Sequence, residues 1–213
     1  MAYDLEEQEQ LATFKAWWEK YGNFLLTAAT LVLLAIAAFN GWRWYERREA
    51  AQAAVVYEQL LRAAQGNDAA KVKELAGSII QNHGRTVFAA MAALHAARAN
   101  HQAGDLPAAR AQLQWVMDKS GHDEYAQIAR VRLAGVLLDE KNYDEALRVL
   151  ATDAAGPQQT AVLDRRGDIL LAQGKPQEAR ATWQKALETA EAQHPLRNLI
   201  QLKLDAVPPA AAS

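Results

Sequence analysis

The segment Ala97–Ala109 reads ARANHQAGDLPAA, in which a small residue is followed twelve positions later by an alanine, with a turn between them. The same arrangement recurs in Ala134–Ala146, AGVLLDEKNYDEA, and in Gly167–Ala179, GDILLAQGKPQEA. The closing alanines of successive segments lie 37 and 33 residues apart. This spacing is close to the roughly 34-residue period of helix-turn-helix repeats.

The small residues have a structural role that predicts how the helices pair. Two antiparallel helices cross closely only where small side chains meet, and larger residues then fill the seam beyond the crossing, here Leu113, Leu150 and Trp183. Gly104 and Gly174 suit the left-handed turn that ends a helix. The sequence therefore predicts an all-α solenoid of tetratricopeptide-like helix pairs. An ordinary helical bundle is the alternative, because most consensus tryptophans and prolines are missing.

The repeat domain is predicted to span residues 46–206. Residues 50–65 and 69–82 form a further helix pair whose small-residue pattern is degenerate, as expected of a terminal capping unit. Residues 207–213 are predicted to be a disordered tail. Before that tail, an apolar face predicts a closing helix, and it comprises Leu196, Leu199, Ile200, Leu202 and Leu204.

Residues 21–45 are predicted to form a single transmembrane helix. The 22 residues between Lys20 and Arg43 carry no charge, and about 20 apolar residues are enough to cross a bilayer. A cleavable signal peptide is disfavoured by the acidic lead, and a buried soluble helix by the lack of charge all round. Aromatic residues typical of the headgroup levels flank the segment: Trp17, Trp18 and Tyr21 before it, and Trp42, Trp44 and Tyr45 after it.

Residues 1–20 form a short N-terminal lead before this helix. Leu11, Phe14 and Trp18 fall on one helical face, opposite Glu7 and Lys15. This pattern predicts an amphipathic helix lying in the headgroup layer, and a disordered lead is the alternative.

The composition argues against several classes of function. The formal net charge is −2, and no stripe of lysine and arginine with interleaved aromatics is present, so nucleic acid is not a predicted partner. The chain has no cysteine, which excludes disulfides and thiol catalysis and is compatible with an oxidising compartment.

No catalytic constellation is apparent, so we predict no enzyme activity, cofactor, metal or small-molecule substrate. His95 and His101 are six residues apart, a spacing that does not place them on one helix face as metal ligands would be. Asp164 and Asp168 share a helix face. Nearby arginines favour an ordinary ion-pair network over an acid/base pair, and these are Arg132, Arg165 and Arg166.

The inner surface of the first helices is the one functional candidate, and it could hold an extended or helical peptide. The alternative is that most of these apolar side chains pack against neighbouring repeats. No lysine and asparagine clamp for a C-terminal carboxylate is present. The predicted partner-binding residues are Met91, Leu94, Arg98, Ile128, Val131, Leu138, Asp164 and Leu171.

Over its full length the chain resembles the YfgM-like ancillary subunits of the bacterial SecYEG translocon. No single motif carries the resemblance, which rests on the order and spacing of several. These are Tyr3–Gln10 with Phe14, Trp17 and Trp18; Gly41–Trp44; Ala111–Gln114; Arg130–Ala134; Leu163–Asp168 with Gly174 and Ala179–Trp183; and Gln201–Leu204.

The resemblance implies an inner-membrane protein with a cytoplasmic N-terminus and a periplasmic repeat domain. It implies SecYEG and the periplasmic chaperone PpiD as partners, and a role in handing exported chains to periplasmic chaperones. A holdase that binds unfolded clients directly and a regulator of envelope stress signalling are the alternatives. The residues conflict with this orientation at one point: Arg43, Arg47 and Arg48 follow the membrane segment, and the positive-inside rule alone places them in the cytoplasm.

Overall fold

The described part of the chain consists of α-helices joined by short turns. In the computed structural model the backbone is described for residues 2–151 and 158–208, and the side chains from residue 9 onward in those ranges. The predicted tail therefore lies outside the described residues from residue 209 onward. The all-α fold class is confirmed, with no strand in the described ranges. The helices are α1 Ala2–Gln65, α2 Ala69–His83, α3 Val87–Gln102, α4 Leu106–Lys119, α5 Asp123–Asp139, α6 Tyr143–Val149, α7 Gln159–Ala172, α8 Pro176–Thr189 and α9 Arg197–Ala206.

The chain divides into two compact units, Met1–Glu49 and Ala50–Ser213. The first unit is a helical segment whose apolar side chains face outward. Only 6% of the most apolar 18-residue window of α1 is buried, and its mean hydropathy is 2.1. A core helix of a soluble protein would bury most of such a window. By length and composition, α1 can cross a membrane.

The two threonine side chains inside the apolar segment satisfy their hydroxyl hydrogen bonds locally. The hydroxyl of Thr27 donates to the backbone oxygen of Asn23 and that of Thr30 to the backbone oxygen of Leu26, each over 2.7 Å. In a hydrocarbon environment every polar group needs such a partner within the protein. The segment is therefore suited to lipid despite its two threonines.

The second unit is built from antiparallel helix pairs joined by one repeated turn. At each turn one residue has a positive φ, and a backbone N–H one position later donates to a carbonyl oxygen five residues back, as in a Schellman helix end. The turn occurs four times, so the first pair has the same joint as the later pairs. The four residues are Asn67 at 55°, Gly104 at 77°, Lys141 at 59° and Gly174 at 76°.

The predicted small-residue crossings form the seams between paired helices. All six small residues at the crossings are buried. The five alanines among them are each 3% exposed or less, and the sixth is Gly167. In the first helix pair the positions one repeat earlier hold Leu60 and Val72, which are also buried. The alanine pattern is absent there because these larger side chains fill the crossing. The small residues are Ala97 and Ala109, Ala134 and Ala146, and Gly167 and Ala179.

Trp183 packs at the crossing of the last helix pair, α7 and α8. Its side chain is 1% exposed, and its indole N–H donates to the backbone oxygen of Asp164 over 3.1 Å. The ring lies directly against the backbone at Gly167, where a Cβ atom would overlap it. Gly167 is therefore required by packing and not by backbone conformation.

Helix α9 closes the stack, and only part of its predicted apolar face is buried. Ile200 and Leu204 are buried in a cluster with Trp183, whereas Leu199 and Leu202 are 45% and 66% exposed. Polar bonds complete the closure. The ammonium group of Lys203 lies 2.6 Å from a carboxylate oxygen of Asp164 and 2.7 Å from one of Asp168, and Arg180 donates to the backbone oxygens of Leu204 and Val207.

The close approach at Gly167 gives a stability prediction. We expect Gly167→Ala to lower the free energy of unfolding by about 2–3 kcal/mol or more, because the added methyl overlaps the Trp183 ring. The measurement is denaturant unfolding of the full chain in detergent micelles, followed by circular dichroism.

Gly77→Ala is the matched control. Gly77 lies inside α2, and a Cβ there would have no neighbour within 4 Å, so the change should stabilise the protein by about 0.5–1 kcal/mol. Equal destabilisation by the two variants would contradict the packing account.

Candidate partner-binding groove

The eight predicted partner-binding residues divide into three groups by exposure. Leu94 and Asp164 are each 6% exposed and belong to the interior. Arg98 is exposed and Leu171 is 40% exposed. The remaining four are partly buried against the hydrophobic clusters between repeats, and these are Met91, Ile128, Val131 and Leu138.

Leu94 and Asp164 use their side chains in contacts that stabilise the fold. Leu94 packs into the cluster between α3, α4 and α5, and the carboxylate of Asp164 is held by Lys203 of α9. Neither side chain is open to a partner in this arrangement. That the inner helices form a binding surface remains a prediction. Of the two charged residues in the predicted set, Asp164 is buried and Arg98 is exposed.

Arg98 lies at the junction of two hollows on the inner surface. A hollow of about 330 Å³ is lined by residues of α3, α4, α5 and α7, and a hollow of about 500 Å³ by residues of α1, α2, α3 and adjacent turns. Arg98 lines both. We call the two hollows together the arginine groove, because the guanidinium groups lining it belong to Arg98, Arg132 and Arg165.

Arg132 and Arg165 occupy the same position in successive repeats. His95, Arg132 and Arg165 each lie two residues before the small residue at a helix crossing, so they occupy equivalent positions in successive repeats. A residue so placed on the inner helix faces the groove in each repeat. From the sequence, Arg132 and Arg165 were predicted to belong to an ion-pair network. Their shared register with His95 is the signal that could have placed all three on the groove.

Arg98 and Arg132 have no carboxylate partner among the described residues. The guanidinium group of Arg132 donates only to the backbone oxygen of Leu94, over 3.5 Å. Burial and the neighbouring charge of Arg98 both lower the pKa of Arg132. Two positive charges are thus held near each other without a counter-charge from the protein.

Arg165 differs because a carboxylate already contacts it. Its guanidinium group lies 3.4 Å from Asp168, on the same helix, while its Nε atom is buried without a hydrogen-bond partner. Two acidic residues line the groove itself: Asp139 is held 2.6 Å from the imidazole Nε2 of His101, and Asp68 accepts a hydrogen bond from the backbone N–H of Lys71. The carboxylates near the groove are therefore occupied, and the unsatisfied groups are positive.

His95 borders the same group of charges from the second hollow. Its Nε2 lies 3.2 Å from the Tyr57 hydroxyl, which connects α3 to α1 within the repeat unit. Burial lowers the pKa of His95, and the charges of Arg132 and Arg98 lower it further. The imidazole is consequently neutral over a wider pH range than a free histidine.

The groove has the chemistry of a binding site for an anion. Guanidinium groups hold carboxylates through paired N–H donors, and the apolar floor offers contact for a side chain or a peptide backbone. Among the described residues no cluster of histidine and acidic side chains could hold a metal ion. Nothing in the groove supplies a nucleophile with an adjacent base.

Known proteins share the repeat fold of this chain and are similar in sequence over nearly its whole length. Residues 15–209 match the family model described as a tetratricopeptide repeat-like domain. A protein of Neisseria gonorrhoeae named Ancillary SecYEG translocon subunit is 32% identical over 97% of this chain and 100% of its own length. A protein of Escherichia coli with the same name is 25% identical over 93% and 95%.

A solved structure shows the same fold at low sequence identity. The tetratricopeptide-like repeats of a kinesin light chain from Podospora anserina, described as putative, superpose with a TM-score of 0.56. They cover 74% of this chain and 85% of their own, at 18% identity. The likeness supports the solenoid arrangement of helix pairs.

The environment of His95 gives a pH prediction. Because folding lowers the pKa of His95, the unfolded chain binds a proton there more readily than the folded chain, so stability attributable to this residue falls as pH drops below its unfolded value of about 6.5. We expect His95→Gln to lose less unfolding free energy than the wild type between about pH 7 and pH 5. Unfolding at fixed ionic strength measures both, and equal losses would contradict the account of His95.

Proposed function

Since the chain belongs to the family of ancillary SecYEG translocon subunits, we propose that it is a non-enzymatic scaffold anchored beside the Sec translocon. The observation that carries the proposal is identity over nearly the full length of four proteins with that name, at 25–32%. In this proposal the repeat unit docks a PpiD-like periplasmic chaperone. It thereby helps pass exported chains to periplasmic chaperones.

The architecture supports a docking role. An apolar helix restrains the repeat unit to the membrane surface, and tethering raises the effective concentration of two proteins that share one membrane. A groove of modest affinity is then sufficient to hold a partner near the exit of the translocon. A scaffold needs a surface and a tether, and the arginine groove and α1 support the proposal as candidates for these two parts.

The proposed localisation is the bacterial inner membrane, with the N-terminus in the cytoplasm and the repeat unit in the periplasm. Arg43, Arg47 and Arg48 count against this orientation under the positive-inside rule. That rule governs short loops, whereas long domains cross the membrane largely regardless of charge. The segment after residue 49 is such a domain.

Site-specific crosslinking in intact membranes tests the proposal. A photoreactive residue at Gln102, an exposed position lining the groove, should give one discrete adduct with a translocon-associated chaperone, because a scaffold holds one partner in a defined place. The adduct should co-purify with SecYEG. Lys185, exposed on α8 away from the groove, is the control position and should give no such adduct.

Two other outcomes would overturn the scaffold proposal. A smear of many exported proteins at Gln102 would indicate a holdase that binds unfolded clients directly. Loss of an envelope stress response on deletion of the gene, with SecYEG and its chaperones recovered as before and no adduct at Gln102, would indicate a regulator.

A further inference from the structure

The arginine groove has a charge opposite in sign to that of the whole chain. The chain carries a formal net charge of −2, yet three guanidinium groups line the groove against two carboxylates, that of Asp139 in the 330 Å³ hollow and that of Asp68 in the 500 Å³ hollow. Asp139 is engaged by His101, and Asp68 accepts a hydrogen bond from the backbone N–H of Lys71 at the start of α2. The local excess of positive charge is thus a property of the groove and does not follow from composition.

Arg98 and Arg132 are exposed in the groove without a carboxylate partner among the described residues. Both guanidinium groups line the same hollow, and neither contacts an acidic group within the described residues. Like charges without a structural partner are typical of sites that bind an oppositely charged ligand. Arg165, which contacts Asp168, is the least available of the three.

We propose that the arginine groove binds an acidic segment of a partner protein, whose aspartate or glutamate carboxylates pair with Arg98 and Arg132. Each guanidinium group presents paired N–H donors that match a carboxylate. The buried side chains of Ala97, Leu113 and Val136 form the apolar floor beneath the same hollow. This inference rests on the proposed docking function and specifies the chemistry of the docked segment.

A peptide fits the groove better than a membrane surface, which could also supply anions. The two hollows meet at Arg98 and extend over α1, α2, α3, α5 and α7, so the lining is elongated and recessed between helices. A single peptide strand or helix can follow such a path, as in other peptide-binding grooves.

Peptide binding to the purified full chain in detergent micelles tests this inference. The probe is a fluorescent peptide of alternating glutamate and alanine, amidated at its C-terminus, and the comparison peptide has glutamine at every glutamate. Fluorescence anisotropy should show binding of the glutamate peptide at least about ten-fold tighter than that of the glutamine peptide. Similar affinities for the two peptides would overturn the proposal.

Substitutions locate the binding in the groove. Arg98→Gln and Arg132→Gln should each weaken binding of the glutamate peptide by roughly ten-fold, because each removes charged hydrogen-bond donors. Arg166→Gln is the matched control, since Arg166 is exposed on α7 and does not line the groove. Circular dichroism confirms that each variant is folded. Equal weakening by Arg166→Gln would show nonspecific attraction and contradict a groove site.

The remaining outcomes separate this inference from the proposed function. Phosphatidylglycerol added to the micelles at constant ionic strength should leave peptide binding unchanged, and displacement of the peptide would make a lipid headgroup the occupant and overturn the inference. If the peptide did not bind but the crosslink at Gln102 still gave one chaperone adduct, the inference that the docked segment is acidic would be wrong and the docking function would stand. If the peptide did not bind and no chaperone adduct formed at Gln102, both the acidic segment and the docking function would be contradicted.

Discussion

The close crossing of paired helices at small side chains is the constraint on which the repeat unit depends. Ala97 with Ala109 and Ala134 with Ala146 allow backbones to approach, and the wider space beside Gly167 accepts the Trp183 ring. Once the pairs are closed in this way, the first helix of each pair lies on the inner surface. The groove and its charges follow from that placement.

The fold was largely predictable from the sequence because its determinants are local and repeated. Helix ends at Gly104 and Gly174, the small-residue spacing and the uncharged apolar segment all follow directly from residue type. The turns at Asn67 and Lys141 were predicted from the repeat spacing, but their positive φ was not, since neither residue is the glycine that this conformation favours. Tertiary packing imposes that conformation there.

The candidate site was less predictable because exposure and charge pairing depend on register between repeats. Leu94 and Leu171 are both apolar residues of inner helices, yet the first is buried and the second is not. Asp164 was placed on the binding surface, but Lys203, which lies 39 residues later, holds it inside the stack. The unpaired state of Arg98 and Arg132 likewise appears only when the carboxylates around them are located.

The proposed function requires the repeat unit to lie on the periplasmic side of the membrane, and this placement is its central claim. The chain lacks cysteine, so a single introduced thiol reports its own exposure. In cells with a permeabilised outer membrane, a membrane-impermeant maleimide should label Lys185→Cys, and should label Lys15→Cys only after lysis. Labelling of Lys15→Cys in intact cells, with Lys185→Cys protected until lysis, would contradict the account.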